Sequence, residues 1–207
     1  MNRFRPLLAA LAVSAMLSAT PASSGVPDPT SSTAAPVLLV CPQGDAVFRV
    51  VSRDFANNTR AGDVVMLDFG ACPTFAPCAD QTGAPYTLDL VHHRIWESTD
   101  SHGIADFPIR LGGTCPDSLV TVYDEGVPLA RRSVVSPDQN GDGAVDAADL
   151  ALLQAKLGTS APTGDFDGDG IVTSADIALL QQHMGHVCQA ATPVRPASWG
   201  RLKMLYR

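Results

Sequence analysis

Eight aspartates lie between Asp138 and Gly185, and Lys156 is the only cation among them. The first loop reads Asp138-Gln139-Asn140-Gly141-Asp142-Gly143-Ala144-Val145-Asp146-Ala147-Ala148-Asp149, and the second Asp165-Phe166-Asp167-Gly168-Asp169-Gly170-Ile171-Val172-Thr173-Ser174-Ala175-Asp176. They start 27 residues apart, and 12 of 21 aligned positions are identical from Asp138–Gly158 to Asp165–Gly185. This is an internal duplication of oxygen ligands. Calcium takes about six to eight oxygens at roughly 2.3–2.6 Å, and the first, third and fifth side chains of a 12-residue loop converge on one point. The expected ligands are therefore Asp138, Asn140 and Asp142 in loop one, and Asp165, Asp167 and Asp169 in loop two. The Ala144 and Ile171 carbonyls fill the seventh position. Asp146 and Thr173 act through water, and Asp149 and Asp176 close the two spheres. Gly143 and Gly170 stand at the sixth position, where the chain must turn sharply. Two Ca2+ ions are expected. Magnesium fits less well, because it prefers fewer protein ligands and stricter geometry.

The elements that position these ligands are legible in the same stretch. Asp146 with Asp149, and Thr173 with Asp176, form capping boxes with Asp in place of Glu. Leu150, Leu153 and Leu157 recur at helical spacing, as do Ile177, Leu180 and Met184. Gly158 and Gly185 end the two helices. Val145 and Val172, each eighth in its loop, are expected to meet in an apolar contact. No amphipathic helix enters the first loop, since Arg131 to Pro137 reads as a strand and a proline turn.

A duplicated loop-then-helix unit without an entering helix resembles the dockerin module, a relative of the EF-hand. The resemblance covers residues 138–185. It implies a secreted protein that docks onto a cohesin domain within a larger assembly, often one that degrades polysaccharide. The calcium ligands carry over residue by residue. The partner-facing positions depart from the type I pattern. Ala147-Ala148 and Ser174-Ala175 stand where Ser-Thr pairs are usual, and Gln154-Ala155 and Gln181-Gln182 replace basic residues.

Residues 37–136 show short apolar runs between turn signals. Ala46–Ser52, Val64–Phe69, Tyr86–Val91, Ile104–Leu111 and Leu119–Tyr123 are strand candidates. Val50 to Asn58, Ala61 to Phe69 and the Ser98–Ala105 turn resemble bacterial Ig-like domains of the invasin type, which implies a β-sandwich. His92, His93, His102 and Asp100 are the one group here that could hold zinc, but adjacent strand residues point to opposite faces. No nucleophile elbow and no phosphate loop is present. Nothing in the sequence marks an enzyme.

The chain has 207 residues and a formal net charge of -7, all of it carried by residues 138–185. With no basic excess, nucleic-acid binding is disfavoured. Arg3 and Arg5 before the apolar Leu7–Ala19 run give residues 1–22 the pattern of a secretory signal. No later stretch is apolar enough for a transmembrane span. Residues 23–36 read as a flexible leader. Export permits disulfides among Cys41, Cys72, Cys78, Cys115 and Cys188. The short proline-restricted loop favours Cys72–Cys78, which leaves Cys41–Cys115 and an odd Cys188, although spacing alone does not fix connectivity. The cysteine spacings match no zinc template. Residues 188–207 form a basic tail, in which 196–207 could contact a partner, the envelope or a sorting system.

The fold expected is thus mixed and two-module. An all-β Ig-like sandwich (37–136) precedes a small α-helical dockerin/EF-hand-like calcium module (137–187). The function expected is a secreted, non-catalytic calcium-binding adaptor that docks a cohesin-type protein partner in a polysaccharide-degrading or cell-surface assembly. The alternatives are a cell-surface structural or adhesive protein in which calcium only stabilises the module, and a small dockerin-borne glycoside hydrolase.

Overall fold

The structure, a computed structural model, describes residues 25–72, 76–81 and 83–188. The signal-like segment 1–22 and most of the basic tail, from 189 onward, lie outside the described residues. The strands are β1 (Thr33–Ala34), β2 (Val37–Leu39), β3 (Phe48–Val51), β4 (Val64–Asp68), β5 (Ala76–Pro77) and β6 (Thr87–Asp89). They continue with β7 (Arg94–Ser98), β8 (Ile104–Phe107), β9 (Leu111–Gly112), β10 (Cys115–Asp124) and β11 (Val127–Val135). Two short helices follow, α1 (Ala147–Gln154) and α2 (Ser174–Gln182).

Alternation of apolar residues makes the strands pair into sheets. Six strands form one sheet in the order β2-β11-β10-β4-β7-β6, and three form another in the order β1-β3-β8. β5 and β9 make a two-stranded ladder. All pairings are antiparallel except β2 with β11, which run parallel from Val37↔Ser133 to Leu39↔Val135. Phe48, Val50, Ala105 and Phe107 of the smaller sheet share one buried core with Leu38, Val65, Leu67, Ile95, Val120, Val122 and Val134 of the larger. Within the expected leader, residues 23–36, Thr33 and Ala34 pair with Val51 and Val50. The run from Ile104 to Leu111 is two strands, broken at Pro108, whose missing N–H cannot serve a ladder.

The expectation of two modules, a sandwich and then an α-helical unit, is corrected. Among the described residues the chain is mostly strands in several sheets, with only two short helices and no helical dockerin module. The helices are 8 and 9 residues long. They stop before Leu157 and Met184, which are exposed. Helices this short depend on packing rather than on propensity. The interior beneath the helices, built on Val145, Leu153, Phe166, Val172 and Leu180, is completed by Val135 of β11, with Val37 and Leu39 of β2 packed against it.

The disulfides are also corrected. Cys72 pairs with Cys115 and Cys78 with Cys188, which leaves Cys41 buried and free. Cys72–Cys78 does not form, because the two cysteines reach different neighbours. Cys72 lies just past the end of β4. The Cys78 amide donates to the Arg110 carbonyl, and its sulfur meets the segment that follows α2. Cys78–Cys188 therefore ties the segment after the repeated loops to the β body. Among the described residues no helix is long and apolar enough to cross a membrane.

Candidate metal centre

The two loops fold with the same set of hydrogen bonds. Asp138 is fully buried, and its carboxylate accepts from the backbone amides of Gly141 (2.8 Å), Asp142 (3.2 Å) and Gly143 (2.8 Å). Asp165 accepts from Gly168 (2.8 Å), Asp169 (3.1 Å) and Gly170 (2.9 Å). This wrap puts Gly143 at φ 87° and Gly170 at φ 96°, a region that side-chain-bearing residues avoid.

A second buried carboxylate in each copy joins the loop to its helix. Asp149 accepts from Gln139 (2.8 Å), Asn140 (3.2 Å) and Asp146 (2.8 Å). Asp176 accepts from Phe166 (2.7 Å), Asp167 (3.4 Å) and Thr173 (2.7 Å). Both capping boxes form as the sequence suggested, with Asp146 and Thr173 as the N-caps. The caps accept from Ala148 (2.7 Å) and Ala175 (3.1 Å). The amides of Ala144 and Ile171 donate to Asp142 and Asp169, each at 2.9 Å.

The third and fifth positions come together in both copies. In loop two, carboxylate oxygens of Asp165, Asp167 and Asp169 all lie within 4.8 Å of one another. In loop one, the Asn140 amide donates to Asp142 at 2.8 Å. Crowding of like charge is visible in the protonation equilibria. Burial pushes the Asp138 carboxyl up, the amides of Gly143 and Gly141 oppose this, and the charges of Asp149 and Asp142 add to it. For Asp167 the Asp169 amide acts downward. Desolvation and the charges of Asp176, Asp169 and Asp165 outweigh it, so the group is raised. An all-oxygen, anionic donor set of this kind fits a hard divalent cation.

The copies also interlock. Val145 donates its amide to the His186 carbonyl (2.8 Å) and accepts from Gly185 (2.9 Å). Val172 donates to the Thr159 carbonyl (2.8 Å) and accepts from Gly158 (2.8 Å). Each eighth-position valine therefore pairs its backbone with the turn that ends the other copy's helix. Their side chains share one buried cluster, as expected, but their backbones do not pair with each other.

One contributor escaped the sequence reading. Lys156 donates to the Gln139 side chain and to Thr163 Oγ1 (3.0 Å). Gln139 in turn donates to the carbonyls of Ser136 (2.6 Å) and Thr163 (3.0 Å), which ties the first loop to the linker before the second. The signal available was that Lys156 is the lone cation of the acidic segment. The histidines of the β body do not assemble into a site. His92 pairs with Asp89 (2.6 Å) and His102 lies 3.5 Å from Asp100, both exposed.

Neither a protein-family model nor a curated protein matches this chain.

Proposed function

We propose that the chain is an exported, non-catalytic calcium-binding adaptor in which two Ca2+ ions order the paired loops against the β body. One observation carries this reading: the second loop gathers three carboxylates within 4.8 Å, and the first repeats its backbone bonds residue for residue. Asp138, Asn140, Asp142, the Ala144 carbonyl, Asp146 and Asp149 would hold one ion. Asp165, Asp167, Asp169, the Ile171 carbonyl, Thr173 and Asp176 would hold the other. The likeness of the repeat to dockerin loops supports a cohesin-type protein as partner, met by the outer faces of α1 and α2. Leu152 on α1 and Met184 just past α2 are exposed there.

Calorimetric titration of the full chain tests the metal reading. Two calcium ions per chain are expected, with a rise in melting temperature. The double variant Asp142→Ala/Asp169→Ala should lose both effects, and absence of binding at millimolar calcium refutes the reading. Calcium-dependent capture of a cohesin module supports docking. The second reading, a structural or adhesive protein that calcium only stiffens, is favoured by the shared core and Cys78–Cys188, which fasten the loops to the sheets. Calcium-raised stability without capture decides for it.

A further inference from the structure

Away from the loops, four side chains of different chemistry meet at one point. Cys41 and Asp45 flank a tight turn in which the Gly44 amide donates to the Cys41 carbonyl (2.9 Å). His183 is the C-cap of α2, and His186 follows one turn later, its amide donating to the His183 carbonyl (3.0 Å). Cys41 Sγ lies 3.6 Å from His183 Nδ1 and 3.2 Å from His186 Nδ1. Asp45 Oδ2 lies 3.0 Å from the first imidazole nitrogen and 3.3 Å from the second. The four donor atoms are all within 4.8 Å of one another.

Two of these separations, 3.6 Å and 3.3 Å, match edges of a coordination tetrahedron, and the other two, 3.2 Å and 3.0 Å, are slightly shorter. With Zn–S of about 2.3 Å and Zn–N and Zn–O of about 2.0–2.1 Å, tetrahedral S···N edges are about 3.5 Å and N···O edges about 3.3 Å. We infer that Cys41, Asp45, His183 and His186 form a zinc site that clasps the end of α2 to the β body. Soft sulfur, two imidazoles and one carboxylate select zinc over calcium. Four protein ligands leave no open position, so the role is structural.

The surroundings suit this role. Cys41 is buried, and it is the one cysteine left outside the two disulfides. The ligand pairs are preset by backbone. Gly44 sits at φ 73°, and a Cβ there would run into Arg110 and the Pro108 carbonyl. Gly185, between the histidines, sits at φ 83°. Cys188, two residues past His186, is bonded to Cys78. Without metal, burial raises the Cys41 thiol and the Asp45 carboxylate adds to that. A cation at the centre reverses this balance and holds a thiolate. The site lies outside the calcium ligand set and stands or falls separately from it.

Cobalt is the probe. The full chain, with disulfides intact and in excess calcium to block oxygen sites, is titrated with Co2+ and then Zn2+. One equivalent should give the visible absorption of tetrahedral cobalt together with a near-ultraviolet thiolate-to-cobalt band, and zinc should displace both. Cys41→Ser should abolish the thiolate band, and His186→Ala should weaken binding about 100-fold or more. His92→Ala, on an exposed histidine elsewhere, should change neither. If wild-type protein shows no thiolate band at one equivalent, the four residues form a hydrogen-bonded cluster only and the site is refuted. That wild-type result decides even if a variant fails to fold. A Cys41→Ser protein that keeps the band also refutes it.

Discussion

The second loop separates two jobs of aspartate, and two substitutions can tell them apart. The Asp165 carboxylate holds three backbone amides, whereas Asp167 holds one, that of Asp169 at 3.1 Å. Hydrogen bonds to charged groups contribute about 1.5–3 kcal/mol each. The amides here belong to exposed residues, so water replaces part of each bond, and about 1 kcal/mol apiece is reasonable. Asp165→Ala should therefore cost about 3 kcal/mol even in chelator. At roughly 2–4 °C per kcal/mol for a chain of this size, the melting temperature falls by about 6–12 °C. Asp167→Asn removes one of three crowded charges, so in chelator its melting temperature should stay level or rise. Calcium changes the comparison. At a hundredfold excess over Kd, one site adds about 2.7 kcal/mol of stability. Both variants should forfeit loop two's share of that gain. Differential scanning calorimetry with and without calcium reads all of this. If Asp167→Asn destabilises the chelated protein as much as Asp165→Ala does, the division of roles is wrong. If Asp167→Asn keeps the full calcium-induced rise, Asp167 is not a ligand.

Cys78–Cys188 closes a separation of 110 residues, for which chain entropy predicts about 4–5 kcal/mol. Cys78→Ser/Cys188→Ser should lose about 2–5 kcal/mol in denaturant unfolding, with the interior under the helices exchanging amide hydrogens before the β core. Asp124 is buried, accepts from Ser52, and has no partner for its other oxygen among the described residues. Burial pushes it up to about 6, against the downward pull of Ser52, with Asp63 adding to the rise. A carboxyl raised in the folded state contributes stability below its unfolded value, near 4, and loses it as pH climbs through 6. Calcium-saturated protein should thus lose stability between about pH 4 and 7, and Asp124→Asn should flatten that slope. An unchanged slope would exonerate Asp124.

What could be read from the sequence was local. The loop spacing and the capping boxes act over a dozen residues. The helices end earlier than Gly158 and Gly185 suggest, at Gln154 and Gln182, and the amides of those two glycines, at φ 76° and 83°, serve the valines of the opposite copy. The failures are long-range. Leu157 and Met184 continue an apolar stripe in sequence, but both lie beyond the last helical turn. β7 was missed because Ile95 is its one fully buried side chain, so period-two alternation is faint. The cysteine partners, and the meeting of Cys41 with His186 across 145 residues, depend on how strands are ordered in space, which no spacing rule encodes. The reading of a separate helical module failed for a related reason. The repeat has sharp edges in sequence, but its interior borrows Val135 from the neighbouring sheet.

The reciprocal backbone pairing of Val145 with His186 and Gly185, and of Val172 with Thr159 and Gly158, makes the duplication indivisible. Neither copy supplies the partner for its own valine. A chain that lost one copy by recombination would keep an orphaned edge, and would find its missing half on a second molecule carrying the same deletion. The repeat is then a dimer interface written twice into one polypeptide. The two copies differ at the third position, Asn140 against Asp167, yet each pairing keeps its valine and its glycine, while the remaining partner is Thr159 in one and His186 in the other.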